Sequence, residues 1–156
     1  MPLARPVIDQ DPLATLRVLY EETDQALAGW TCEASADCCH FARTGREPYV
    51  WPLEWKLVER ALAGRGLKAR RVLPIVQGDR ACALLDESGR CTVYEARPFG
   101  CRTYFCERAR GPERRPPRER LAELGRRLSS LAERDDPRGG GPRPLSRWLD
   151  SRDKKR

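Results

Sequence analysis

Residues 82–106 read CALLDESGRCTVYEARPFGCRTYFC and hold four of the seven cysteines. The other three, Cys32, Cys38 and Cys39, sit together in TCEASADCCHF. Within the longer stretch, Cys82 to Leu85 and Cys91 to Tyr94 read as two short strands, with Asp86-Glu87-Ser88-Gly89 as the loop between them. Such a hairpin carries Cys82 and Cys91 near its base. The two sulfur-rich segments are expected to fold against each other, held by disulfides or by a metal.

Compartment decides between the two. The opening residues, MPLARPVIDQDPLATLR, contain no apolar run of signal-peptide length, and acidic residues enter by Asp9 and Asp11. No stretch approaches the roughly 20 apolar residues of a membrane span. The expectation is a cytoplasmic protein with no membrane partner and with reduced thiols. The cysteine count is also odd, so disulfides would leave one thiol over. Metal ligation by Cys32, Cys38, Cys39, Cys82, Cys91, Cys101 and Cys106 is the expected chemistry. His40, the one histidine in the chain, follows the Cys38-Cys39 pair and is a further candidate. A lone histidine is more often a hydrogen-bonded side chain than a ligand.

The spacings are C-x5-C-C and then C-x8-C-x9-C-x4-C. A zinc ribbon or finger shows two tight pairs of C-x2–4-C form, and only Cys101 and Cys106 come near it. The plant-type ferredoxin run is absent too. Spacing therefore does not name the metal. Adjacent Cys38 and Cys39 point to opposite sides of an extended chain but can share one centre in a tight turn. One tetrahedral site needs four ligands, so surplus cysteines serve a second site or pack as small apolar side chains. Arg97 and Arg102 flank Cys101, where a cation favours thiolate; the plainer reading pairs them with Glu95 or Glu107. On a helix Cys101 and Cys106 would not share a face, so a loop or broken turn suits joint ligation.

Around this centre the chain reads as a small α+β domain, metal-stapled, with a few helices, a short β-hairpin and a basic helical C-terminal extension. Asp11-Pro12 has the form of a helix N-cap and first turn, and the leucine spacing predicts a helix over 12–28. Tyr49-Val50-Trp51 is a short extended piece. Pro52 opens a second helix, with Leu53, Leu57, Val58, Ala61 and Leu62 on one face, stopped by Gly64 and Gly66. Trp51 and Trp55 are expected to cover the metal cluster. Residues 72–76 read as an edge strand. Residues 1–110 thus form a cysteine-cluster metal-binding domain, and 111–156 a basic linker and helix tail, partly disordered. Within that tail, Leu121, Leu124, Leu128 and Leu131 predict a helix over 118–134, 136–144 reads as flexible, and Leu145 to Leu149 as a last short helix.

The net charge is +7, and residues 107–156, with 16 Lys and Arg against 9 Asp and Glu, carry all of the excess. A basic tail can bind nucleic acid or an acidic protein partner. The bland reading is a solvated arginine-rich helix, and it is preferred because the acidic residues dilute the charge. No Gly-rich nucleotide loop and no convincing acid–base pair is present.

The residues Cys38, Cys39, Cys82, Leu85, Gly89, Cys91, Tyr94, Arg97, Pro98, Cys101 and Arg102 together resemble the YkgJ-type cysteine-cluster family, a zinc- or iron-chelating domain. The resemblance covers about residues 30–106. It implies a small bacterial domain that binds iron, as an iron–sulfur cluster or otherwise, or alternatively zinc. It also carries a link to flagellin lysine methylation. The family is described with eight cysteines, so this chain leaves one ligand position to His40 or a non-cysteine residue. The leading reading is a metal-binding protein. The rivals are an iron–sulfur oxidoreductase, electron carrier or methylation-associated enzyme, and a metal-stapled module that binds nucleic acid or protein.

Overall fold

A computed structural model of the chain describes residues 11–30, 37–65, 81–104, 111 and 115–153. Cys32, Cys106 and the expected edge strand at 72–76 lie outside the described residues. The architecture is a small α+β domain. Four helices carry its core: α1 (Pro12–Ala26), α3 (Pro52–Gly64), α5 (Arg118–Asp135) and α6 (Leu145–Asp153). Two short ones, α2 (Phe41–Thr44) and α4 (Phe99–Thr103), and two 3-10 turns, Asp37–Cys39 and Tyr94–Ala96, occupy the cysteine segments.

Local chemistry sets the helix starts. The Asp11 side chain accepts the Leu13 N–H at 3.2 Å, and Pro12 has no N–H to leave unpaired. Pro52 opens α3 in the same way after Trp51, whose ψ of 152° is extended. Leu13, Leu16, Leu19 and Tyr20 of α1 are buried against Leu53, Leu57, Val58 and Leu62 of α3. Leu124, Leu128 and Leu131 of α5 and Leu145 and Leu149 of α6 enter that same cluster. Burial of each such side chain contributes roughly 1.5–3 kcal/mol.

The C-terminal segment is therefore not an appendage. Its leucine stripe repeats every three to four residues, and the complementary stripe of α1 covers it. Residues 136–144, expected to be flexible, are also built into the fold. Arg143–Pro144 forms β2, antiparallel to β1 (Tyr49–Val50), with Tyr49 opposite Pro144 and Val50 opposite Arg143. Pro144 at the end of a two-residue strand loses no ladder bond that the sheet needs. The last helix runs on to Asp153 rather than stopping at Leu149. Trp148 donates its indole N–H to Val50 O at 2.9 Å and stacks on Trp55 at 5.8 Å between centroids. Trp55 thus packs against α6, in the same buried cluster that holds Cys82.

The turn expected after Cys82 is present, but its arms are nearly unpaired. One antiparallel bridge, Leu85 opposite Cys91, joins them, with Thr92 N–H donating to Leu84 O at 2.8 Å. The loop is organised by a side chain instead. Asp86 accepts the backbone N–H of Ser88 at 2.8 Å and of Arg90 at 3.0 Å, and Gly89 takes a φ of +77°. Among the described residues, no helix is long and apolar enough to cross a membrane.

If the C-terminal helices share one core with α1, a cavity in α5 must weaken the whole protein. Leu124 is fully buried, so Leu124→Ala should cost about 2–5 kcal/mol in a single unfolding transition. Denaturant titration followed by far-UV circular dichroism and tryptophan fluorescence checks this. A second, separate transition would mark an independent tail.

Candidate metal centre

The cysteines enter from three parts of the chain. Cys38 and Cys39 sit on the 3-10 turn Asp37–Cys39. The Cys82 N–H donates to Cys39 O at 2.7 Å, and the backbones of His40 and Ala81 form an antiparallel bridge. The first cluster and the start of the second are therefore stitched together by main chain, although 42 residues separate them. Cys91 lies across the Asp86 turn from Leu85. Cys101 is carried by α4, which ends at Thr103 with Tyr104 extended. That break before Cys106 agrees with the expected interruption of the helix.

Cys38, Cys39, Cys82, Cys91 and Cys101 carry thiols rather than disulfides, and their titrations influence one another. A hydrogen bond with Cys38 is the first cause that raises the Cys39 thiol above its ordinary range, with burial and the charges of Cys82 and Cys101 adding to it. Burial pushes Cys82 up to about 12. Burial also raises Cys91 and Cys101, and each of these feels Cys38 as well. Arg97 and Arg65 oppose the rise at Cys91. These thiols are soft donors suited to zinc, iron or iron–sulfur ligation. Among the described residues, no three Cys, His, Asp or Glu side chains are placed to hold a metal ion as they stand. Neutral thiols have no charge that would draw them to a common point, so joint ligation needs them to deprotonate and close in. His40 stands half-buried at the head of α2, next to Cys39.

A second, buried polar group holds the Cys101 segment in place. Glu54 is fully buried. Its carboxylate accepts the Tyr20 hydroxyl at 2.8 Å, the Phe99 N–H at 2.7 Å and the Trp51 N–H at 3.0 Å. It so ties α1, α3 and the first turn of α4 to one point. Burial holds its carboxyl above the usual range in spite of these donors and of Arg102. Arg102 is the other half. Its side chain is 2% exposed and pairs with Asp24 of α1 at 2.6 Å. It also donates to Arg97 O at 2.9 Å and to Glu95 O, and lies 4.1 Å over the Tyr20 ring. The sequence pointed to an acidic partner for Arg102, and Asp24 fills that role. Glu54 and Tyr20 were missed. The available signal was Glu54 at the third helical position after Trp51, half of a capping box.

The described residues on either side of the remaining cysteines also meet. Trp30 precedes the Cys32 segment, Gly111 follows the Cys106 segment, and the Trp30 ring fills the space a Cβ at Gly111 would occupy.

Two outcomes follow from this geometry. Arg102→Ala leaves Asp24 and two carbonyls without their donor, so it should cost about 2–3 kcal/mol. It should also speed Cys101 alkylation by a thiol reagent, read by mass spectrometry. Separately, the metal-free folded chain keeps thiol protons that the unfolded chain sheds above its ordinary value of 9.0. Its stability is therefore intact below pH 9 and should fall as pH rises from 9 towards the folded value of about 12. Unfolding midpoints under reducing conditions with a chelator at pH 8, 10 and 11 test this.

Comparison with known proteins adds one match. A family model, CxxCxxCC, described as a "putative zinc- or iron-chelating domain", matches residues 31–118. The match takes in all seven cysteines and more than half of the 156 residues. No curated protein and no solved structure matches the chain. The family's name spells a spacing. Laid on residues 32–39 it falls on Cys32, Cys38 and Cys39, with Ser35 at the remaining cysteine place. With more than half of its length matched by that model, the chain belongs to the CxxCxxCC family, described as a "putative zinc- or iron-chelating domain".

Proposed function

We propose that this protein chelates iron or zinc through Cys38, Cys39, Cys82, Cys91 and Cys101, joined by Cys32 and Cys106. The observation that carries this reading is the main-chain stitching of Cys39 to Cys82 across 42 residues, with Cys91 facing Leu85 across the turn that follows. The family match over residues 31–118, which takes in both, supports adding Cys32 and Cys106. Seven thiols exceed the four ligands of one tetrahedral zinc site, which favours an iron–sulfur cluster or two metal ions over a single zinc. Free thiols suit a reducing compartment, and a bacterial cytoplasm is the proposed location.

The chelating role is preferred to an enzymatic one. Glu54, the buried carboxylate near Cys101, already accepts three hydrogen bonds, so it is not poised as a general base. A second reading, electron transfer, draws on the half-exposure of Cys38, Cys91 and Cys101, since a carrier needs its centre near the surface.

Anaerobic purification followed by metal analysis, acid-labile sulfide assay and a visible spectrum tests the proposal. At least one equivalent of iron or zinc is expected. Cys82→Ser and Cys101→Ser should each lower that content while the circular dichroism of the leucine-packed helices persists. Ser35→Cys should raise metal retention against a chelator. Protein that stays metal-free after reconstitution with either metal under reducing conditions would end this reading.

A further inference from the structure

Away from the cysteines, α1 and α5 enclose a groove of about 310 Å³. Arg126, Ser130 and Arg134 line it from α5, with Thr15 facing them from α1. The three α5 residues are four apart, so they stand on one face at steps of about 6 Å. Two guanidinium groups thus flank one hydroxyl, with a second hydroxyl across the gap.

The nearby charges are already matched. Glu22 is held by Arg127 at 2.6 Å and by Arg120 at 3.0 Å, and Glu123 is held by Arg120 at 2.7 Å. Arg127 and Glu123, which also line the groove, are therefore committed. Arg126 and Arg134 form no ion pair or hydrogen bond with another described residue, nor does the Ser130 hydroxyl. Among the described residues, the acid that lines the groove, Glu123, is paired with Arg120, and these two cations have no acidic partner.

We propose that this groove binds the phosphate group of a phosphate monoester, between Arg126 and Arg134, with Ser130 and Thr15 as hydroxyl donors. A carboxylate has one charge and two oxygens, too few for two guanidinium groups and two hydroxyls. A phosphate monoester dianion has three terminal oxygens and a charge near two, and arginine forks match it. Both cations line one groove between α1 and α5, which favours a single phosphate over a nucleic-acid backbone. The site uses no cysteine, so it stands or falls independently of the metal centre.

The test is calorimetric titration of the full chain at low ionic strength with inorganic phosphate, glycerol phosphate and a single-stranded oligonucleotide. Saturable binding of the two small phosphates is expected. Arg126→Gln and Arg134→Gln should each weaken it about tenfold, and Ser130→Ala by less. Arg17→Gln, at an exposed position of α1 outside the groove, should leave it nearly unchanged. These are surface changes, and circular dichroism verifies that each variant folds. Three results would overturn the proposal: no saturation by either small phosphate, an equal loss in Arg17→Gln, or binding of the oligonucleotide alone.

Discussion

Glu54 is the point on which the arrangement depends. A carboxylate removed from water must be surrounded by donors or it destabilises the fold. Here the donors are a hydroxyl from α1, the N–H at the head of its own helix, and the N–H of Phe99 at the head of α4. Each donor fixes an element that hydrophobic packing alone would leave free to slide. Apolar contact is non-directional; these three hydrogen bonds are not. Arg102 acts from the other side of α4 with the same logic. Its planar fork spans Asp24 and two backbone carbonyls, a set that a lysine point charge could not match. A helix of five residues, too short to hold itself together, is so clamped from both faces, and Cys101 goes where the clamp puts it.

The molecule has two kinds of order. The helices α1, α3, α5 and α6 share one leucine-rich core, tied at its edges by Glu22 with Arg120 and Arg127 and by Lys56 with Asp135. Among the described residues the one buried threonine bonds back to its own helix, Thr23 to Leu19 O at 2.8 Å. The described parts of the cysteine segments have little regular structure beyond 3-10 turns and the short α2 and α4. Leu84, Val93 and Ala96 anchor them to the core, and turns such as that of Asp86 fill the intervals. A frame of this kind can persist while the cysteine segments rearrange. Ligands can then close on an ion without remaking the core.

What could be read from the sequence follows the range of the interactions. The starts of α1 and α3 were legible because their caps are decided within three residues, at Asp11-Pro12 and Trp51-Pro52. Leucine periodicity gave α5. The pairing of β1 with β2 was not legible. It joins residues more than 90 apart through two-residue strands, and Arg143-Pro144 sits in a Gly- and Pro-rich run that reads locally as a loop. The same limit explains Trp55, whose stacking partner is distant. In the candidate site, cysteine chemistry was legible by residue type, and the meeting of two clusters was inferable from a common need. Glu54 and Tyr20 were not, because nothing local distinguishes a buried glutamate from an exposed one at a helix's first turn.

The raised thiols bear on how such a centre would work. In the metal-free chain, burial and mutual repulsion keep Cys82 and its neighbours protonated, and a protonated thiol is a poor ligand. The same burial would favour a loaded centre. A cation among thiolates replaces their repulsion with attraction, and the attraction is stronger where water is excluded. Loading would therefore release protons and be opposed by acid. Retention, once the ligands have closed, would gain from the low-dielectric surroundings that made the first deprotonation costly. An environment that resists charge when empty and strengthens it when filled gives a centre with two states and little in between.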